Sequence, residues 1–128
     1  MLRRLAFAAL AAGFAASANA QQPSAQEPLH GEAWYRARLV ELSEILGGAH
    51  YLRTLCEGTR NQRWRDYMRG IIEREPNYNA ALVEGFNRGY RNEEARFHSC
   101  DSRAEQMEAE LRAQGLRVSQ ALRARHAD

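Results

Sequence analysis

From Gly31 onward the apolar residues recur at helical spacing, and the alternation expected of strands is absent. Leu39, Leu42, Leu46, Ala49 and Cys56 follow one another at steps of three, four, three and seven, which is one face of a first helix running from about Glu32 to Glu57. Gly47-Gly48 interrupts that face and should weaken or bend it, at ~1 kcal/mol per glycine relative to alanine. Gly58 is a natural stop. Thr59 with Gln62 matches a capping box and opens a second helix to about Glu75, with Trp64, Met68, Ile71 and Ile72 on its apolar face. Pro76-Asn77 ends it. A third helix, about Tyr78 to Ser99, uses Leu82, Phe86, Tyr90 and Phe97, and a fourth, about Ser102 to Arg125, uses Ala104, Met107, Leu111, Val118 and Leu122. Ser102 with Glu105 forms another capping box and favours a break near Asp101. The apolar spacing nonetheless continues unbroken through Phe97, Cys100, Ala104 and Met107, so one long helix is an open alternative.

The N-terminal residues have a different pattern. Arg3-Arg4 precede an apolar run from Leu5 to Ala16, and Ser17-Ala18-Asn19-Ala20 follows as a small-x-small site. That order marks a cleaved secretory signal over residues 1–20, with processing after Ala20 and a periplasmic destination. The run would be only ~18 Å long as a helix, against the ~30 Å of a bilayer core, so it is not expected to remain as an anchor. Residues 21–30, polar with two prolines, are a flexible leader, and residues 31–128 are the helical domain. No later stretch approaches membrane-spanning length. Position 21 is Gln and not Cys, which excludes a lipid-anchored export product.

Charge then changes its meaning. The chain is formally +2, and that surplus is Arg3 and Arg4, so the exported part is neutral. A neutral chain with interleaved charges lacks the cation surplus that nucleic-acid backbones demand. Every basic residue is Arg, which removes lysine-base and Schiff-base chemistry. Serine-nucleophile elbows, glycine-rich phosphate loops, zinc-protease helices and Cys-x-x-Cys-His haem attachment are all missing. No cofactor is expected.

Cys56 and Cys100 are the two cysteines, both inward-facing on a helical wheel and both bound for an oxidising compartment. They are expected to form one intrachain disulfide. A metal site with His50 and His98 fits poorly, since each His–Cys pair lies ~120° or more apart around its helix instead of at i and i+3 or i+4. A polar cluster is the next candidate. Arg53 lies on the core-facing stripe of the first helix with His50 at its flank, and Glu93 lies among Phe86, Tyr90 and Phe97. With the first and third helices parallel, these groups sit within ~10.5 Å of the bridge along the axis, and Glu93 is expected to pair with Arg53, His50 or both. A structural ion pair and a ligand or proton-transfer site formed by His50, Arg53, Tyr90 and Glu93 are both compatible with that placement. Gly85 and Gly89, with Ala81, form a small-residue stripe suited to close packing near Gly47-Gly48. Last, Arg60 to Arg69 concentrates arginine and aromatic residues; Arg60, Arg63, Trp64, Arg65 and Arg69 could grip an anionic envelope component, or simply cover the rim of the core with their stems.

The strings Leu46 to Gly58 (LGGAHYLRTLCEG), Trp64 to Met68 (WRDYM), Phe86 to Tyr90 (FNRGY) and Cys100 resemble a group of small exported alphaproteobacterial proteins catalogued only as a domain of unknown function. The resemblance covers about Leu39 to Leu122. It implies a secreted helical domain with a paired cysteine and brings no activity. After Cys100 the chain departs from the family pattern, with Asp101-Ser102 in place of a Thr-Pro helix start.

The expected fold is all-α, a bundle of three or four helices with one disulfide. The expected role is a non-enzymatic binding or structural accessory of the cell envelope, its partner an unidentified envelope component. Two other readings are open: a small envelope enzyme or ligand-binding protein built on His50, Arg53 and Glu93, and an oligomeric helical scaffold joined through Met107 to Leu122.

Overall fold

The computed structural model describes residues 31–126, together with Gly13. The expected export signal and leader otherwise lie outside the described residues. Four α-helices follow in order: α1 Glu32–Glu57, α2 Arg63–Arg74, α3 Asn79–Arg96 and α4 Ser102–His126, with a 3₁₀ turn at Pro76–Tyr78 between α2 and α3. Among the described residues there is no strand, and no helix is long and apolar enough to cross a membrane.

The first helix is the spine. α3 packs along it most closely, α4 next and α2 least, while α2 makes only sparse backbone approaches to α3 or α4. Its apolar stripe explains this. Tyr35, Leu39, Leu42, Ile45 and Leu46 form the main core with Met68 and Ile71 of α2, Leu82 of α3, and Val118 and Leu122 of α4. A second cluster near the disulfide joins Tyr51, Leu52, Phe97 and Ala104. The α4 seam proposed for oligomerisation is thus turned inward, with Ala104, Val118 and Leu122 buried and Met107 and Leu111 packed against the core.

Parallel packing of α3 on α1 depends on glycine. A Cβ on Gly47 would lie 1.9 Å from the Phe86 carbonyl oxygen, and one on Gly89 would lie 1.9 Å from that of Glu44. One on Gly85 would meet Ser43 Oγ at 2.1 Å. No side chain fits such gaps, so the two backbones touch only because Cβ is missing. Gly47-Gly48 therefore does not break α1. The helix runs through both residues, and they are buried at its crossing with α3.

The ends of the helices differ from the expected caps. α2 begins at Arg63, not after Thr59: the Gln62 side chain donates to the Thr59 carbonyl instead of reaching back to an N-terminal amide, and Asn61 Oδ1 accepts from the Arg63 N–H at 3.2 Å. At α4 the cap is Asp101 and not Ser102, for Asp101 Oδ1 accepts from the Ala104 N–H at 2.9 Å. α3 stops at Arg96, and residues 97–101 are not helical, which overturns the continuous-helix alternative. The turn lets α4 run back antiparallel to α1, shown by Arg53 meeting Glu108 near one end and Glu32 meeting Arg125 at the other. Cys56 and Cys100 are joined, with their Cα atoms 5.0 Å apart.

Candidate functional site

The expected polar cluster divides. Arg53 turns away from Glu93 and enters the α1/α4 interface, where its guanidinium meets Glu108 at 2.8 Å and Glu57 at 2.6 Å. Arg112 reaches Glu108 at 2.9 Å, and the indole N–H of Trp64 donates to the same carboxylate at 3.3 Å. The Arg53 guanidinium also lies 6.0 Å from the Trp64 ring centroid. Glu93 instead packs beside Gly48 and pairs with Arg96 of its own helix at 3.3 Å. The predicted Glu93–Arg53 and Glu93–His50 pairs are absent. The reason is angular: residues 48 and 53 of α1 point in directions ~140° apart, so the side of α1 that meets Glu93 is not the side that carries Arg53. Glu108 was missed, although an acid beside the Ala104–Met107–Leu111 stripe is itself an anomaly that asks for a buried cation.

His50 and Tyr90 do come together, and with an unexpected neighbour. They lie in a cleft of about 350 Å³ between α1, the α1–α2 turn, α2 and α3, lined also by Thr54, Thr59, Gln62, Arg65, Phe86 and Asn87. The His50 ring centroid is 5.6 Å from that of Phe86 and 6.0 Å from that of Tyr90. Only 8% of the residue is exposed, and its Nδ1 is buried with no hydrogen-bond partner. Burial depresses the imidazole pKa below 6.5, and the positive charge of Arg65 pushes it further the same way. At neutral pH the ring is uncharged, with one nitrogen able to donate and one to accept.

The cleft continues along α2. A second hollow of about 290 Å³ shares Arg65, Phe86 and Asn87 with it and adds Met68, Arg69, Ile72 and Val83. Together they make a trough between α2 and α3 with a polar end at His50 and an apolar end at Val83. Arg65 and Arg69 stand over it, and no carboxylate is among the residues lining either part. Among the described residues, Arg65 hydrogen-bonds the Gln62 side chain at 3.4 Å and Arg69 pairs with Asp66 at 3.8 Å, largely in water. Both guanidinium groups retain donors for an incoming anion.

The basic segment also divides. Arg65 and Arg69 line the trough, Arg60 and Arg63 are exposed outside it, and Trp64 is half-buried on the α4 side of α2, held by Glu108. Trp64 is thus part of the packing of α2 and not of an anion-gripping surface. Thr54 follows His50 by one turn of α1, whereas Thr59, Gln62 and Asn87 enter the site from the α1–α2 turn and from α3, which no periodicity along one helix brings together. Among the described residues no group of three or more His, Cys, Asp or Glu is placed to hold a metal.

Comparison with known proteins places this geometry. The family model described as "Protein of unknown function (DUF2385)" matches residues 34–126, from the first turn of α1 to the last residue of α4. No curated protein and no solved structure matches. With α2, α3, α4, nearly all of α1 and both bridged cysteines inside the matched span, the chain belongs to the DUF2385 family of proteins of unknown function.

Proposed function

We propose that this chain is exported, is processed after Ala20, and works in the periplasm as a non-enzymatic binding accessory of the cell envelope. Its site is the trough between α2 and α3, and its ligand presents an anionic oxygen group. The observation that carries this reading is the combination of Arg65 and Arg69 over a trough lined by no carboxylate, with a buried His50 whose Nδ1 is unpartnered at its polar end. A neutral histidine beside two arginines suits a phosphate or carboxylate: the arginines supply charge-assisted hydrogen bonds and the imidazole one directed bond.

Export is supported by the signal pattern of residues 1–20 and by a cysteine pair whose bond persists in oxidising compartments. Binding is favoured over catalysis because the groups that acid–base chemistry would pair, His50 and Glu93, line different clefts.

The test is titration of the mature protein with inorganic phosphate and, separately, with N-acetylmuramate, followed by the ring resonances of His50. Saturable shifts with at least one probe, weakened ten-fold or more in Arg65→Gln, are expected from the loss of one charge-assisted contact worth ~1.5–3 kcal/mol. Unmoved His50 resonances with both probes would remove the trough as the site.

A further inference from the structure

α2 has a second flank. On the side facing α4 the surface is apolar and open, and it lies away from the trough. A chamber of about 210 Å³ is floored by Leu42, Ile45 and Leu46 and walled by Tyr67, Leu111 and Leu116. Beyond it a chamber of about 420 Å³ shares Leu42, Tyr67, Ser119 and Arg123 with the first and extends to Tyr35, Arg74 and Glu75. The groove so formed follows α1 from Ala49 to Tyr35, which at ~1.5 Å per residue is ~21 Å. Tyr67 and Leu116, 46% and 54% exposed, are its lips. An open apolar channel with such lips, unlike scattered exposed leucines, marks a binding surface.

Charge specifies what should lie in it. Arg112 is committed to Glu108, and Glu75 accepts a hydrogen bond from the Tyr35 hydroxyl. Arg74 and Arg123, both at the far chamber, meet no carboxylate among the described residues. Size then separates two occupants. A helix of ~5 Å radius lying along ~21 Å occupies on the order of 1,600 Å³ and would have to lie mostly outside chambers of about 210 and 420 Å³. A single acyl chain, about half of a ~30 Å bilayer core in length, fits with room for its head group.

We propose that the α2–α4 groove binds one long-chain carboxylate, its tail over Leu42, Ile45 and Leu46 and its head between Arg74 and Arg123. The tail gains by leaving water, and the head finds two guanidinium groups with free donors.

Gly115 provides a test of the channel. A Cβ there would meet Ile45 Cγ2 at 3.4 Å and Leu42 Cδ1 at 3.8 Å, so alanine fits while a longer side chain must enter the groove. Calorimetric titration of the mature protein with dodecanoate, below its micellar concentration, should give one saturable site. Gly115→Ala should retain it and Gly115→Leu should lose at least ten-fold in affinity. The exposed-lip variant Leu116→Glu should weaken binding as well, and serves if Gly115→Leu does not fold. Arg74→Gln with Arg123→Gln should weaken dodecanoate ten-fold or more and leave its methyl ester unaffected. No saturable heat, or affinities indifferent to these variants, overturns the proposal. So does light scattering that shows a dimer dissociated by Leu116→Glu, because a second copy would then fill the groove.

Discussion

At the scale of single residues, the glycines separate into two kinds that the amino-acid sequence does not distinguish. Gly47 and Gly89 have a carbonyl oxygen where a methyl group would go, so alanine at either must force α1 and α3 apart, at a cost of about 3 kcal/mol. Gly115 has ordinary van der Waals space at its Cβ position, so Gly115→Ala should gain about 1 kcal/mol from helix propensity alone. Urea unfolding of the three variants checks both signs. His50 gives a second prediction. Its folded pKa lies below 6.5, so the unfolded chain binds the proton more readily and stability is lost as pH falls from 6.5 through the folded value. Melting temperatures between pH 7 and pH 5 should drop more steeply for wild type than for His50→Gln; parallel curves would contradict the burial of a neutral ring. Tyr35 shifts the opposite way. Burial and the hydrogen bond to Glu75 raise its phenol to about 12, so its contribution is complete below pH 10 and is lost only as pH rises through that value.

At the scale of elements, periodicity revealed the helices and not their caps. The face of Leu39, Leu42, Leu46 and Ala49 needed only spacing, and α1 spans the residues that spacing indicated. Thr59 and Ser102 had the sequence of capping residues, but in each case a neighbour was better placed. Asp101 is one residue nearer the turn, and its carboxylate reaches the Ala104 amide first. Asp101→Ala should therefore cost about 1 kcal/mol in stability, and Ser102→Ala much less. A break at this point was legible in the Ser102–Glu105 capping box and ambiguous in the apolar rhythm. Packing decides it: a helix running straight on would carry Leu111, Val118 and Leu122 away from α1 and leave them in water. The polar cluster was half legible for a related reason. A wheel drawn for one helix shows which residues turn inward, and His50 and Tyr90 did so. It does not show which neighbour stands opposite, and that neighbour gave Arg53 to Glu108 and Glu93 to Arg96.

At the scale of the whole molecule, an ionic knot ties α1, α2 and α4 together, and a covalent bond ties the end of α1 to the turn between α3 and α4. Glu108 joins α4 to Arg53 of α1 and to Trp64 of α2, at a site almost closed to water. Removing one member of such a group strands the others, so Glu108→Ala should cost about 3–5 kcal/mol, read from the shift of the urea midpoint. The Cys56–Cys100 bond closes a loop of sequence separation 44 and joins the end of α1 to the turn that precedes α4. In the chain-entropy account it contributes about 4 kcal/mol by restricting the unfolded chain. Between these two constraints α2 is held mainly by α1, which leaves a basic trough on one side and an apolar groove on the other.

One intact-mass measurement tests most directly whether the protein is exported, processed and cross-linked as proposed. The protein is taken from its native compartment, denatured without reductant and exposed to an alkylating reagent. The predicted mass is that of a chain starting at Gln21, two hydrogens light and carrying no adduct. A chain that retains its first residues and takes up two alkyl groups would contradict it.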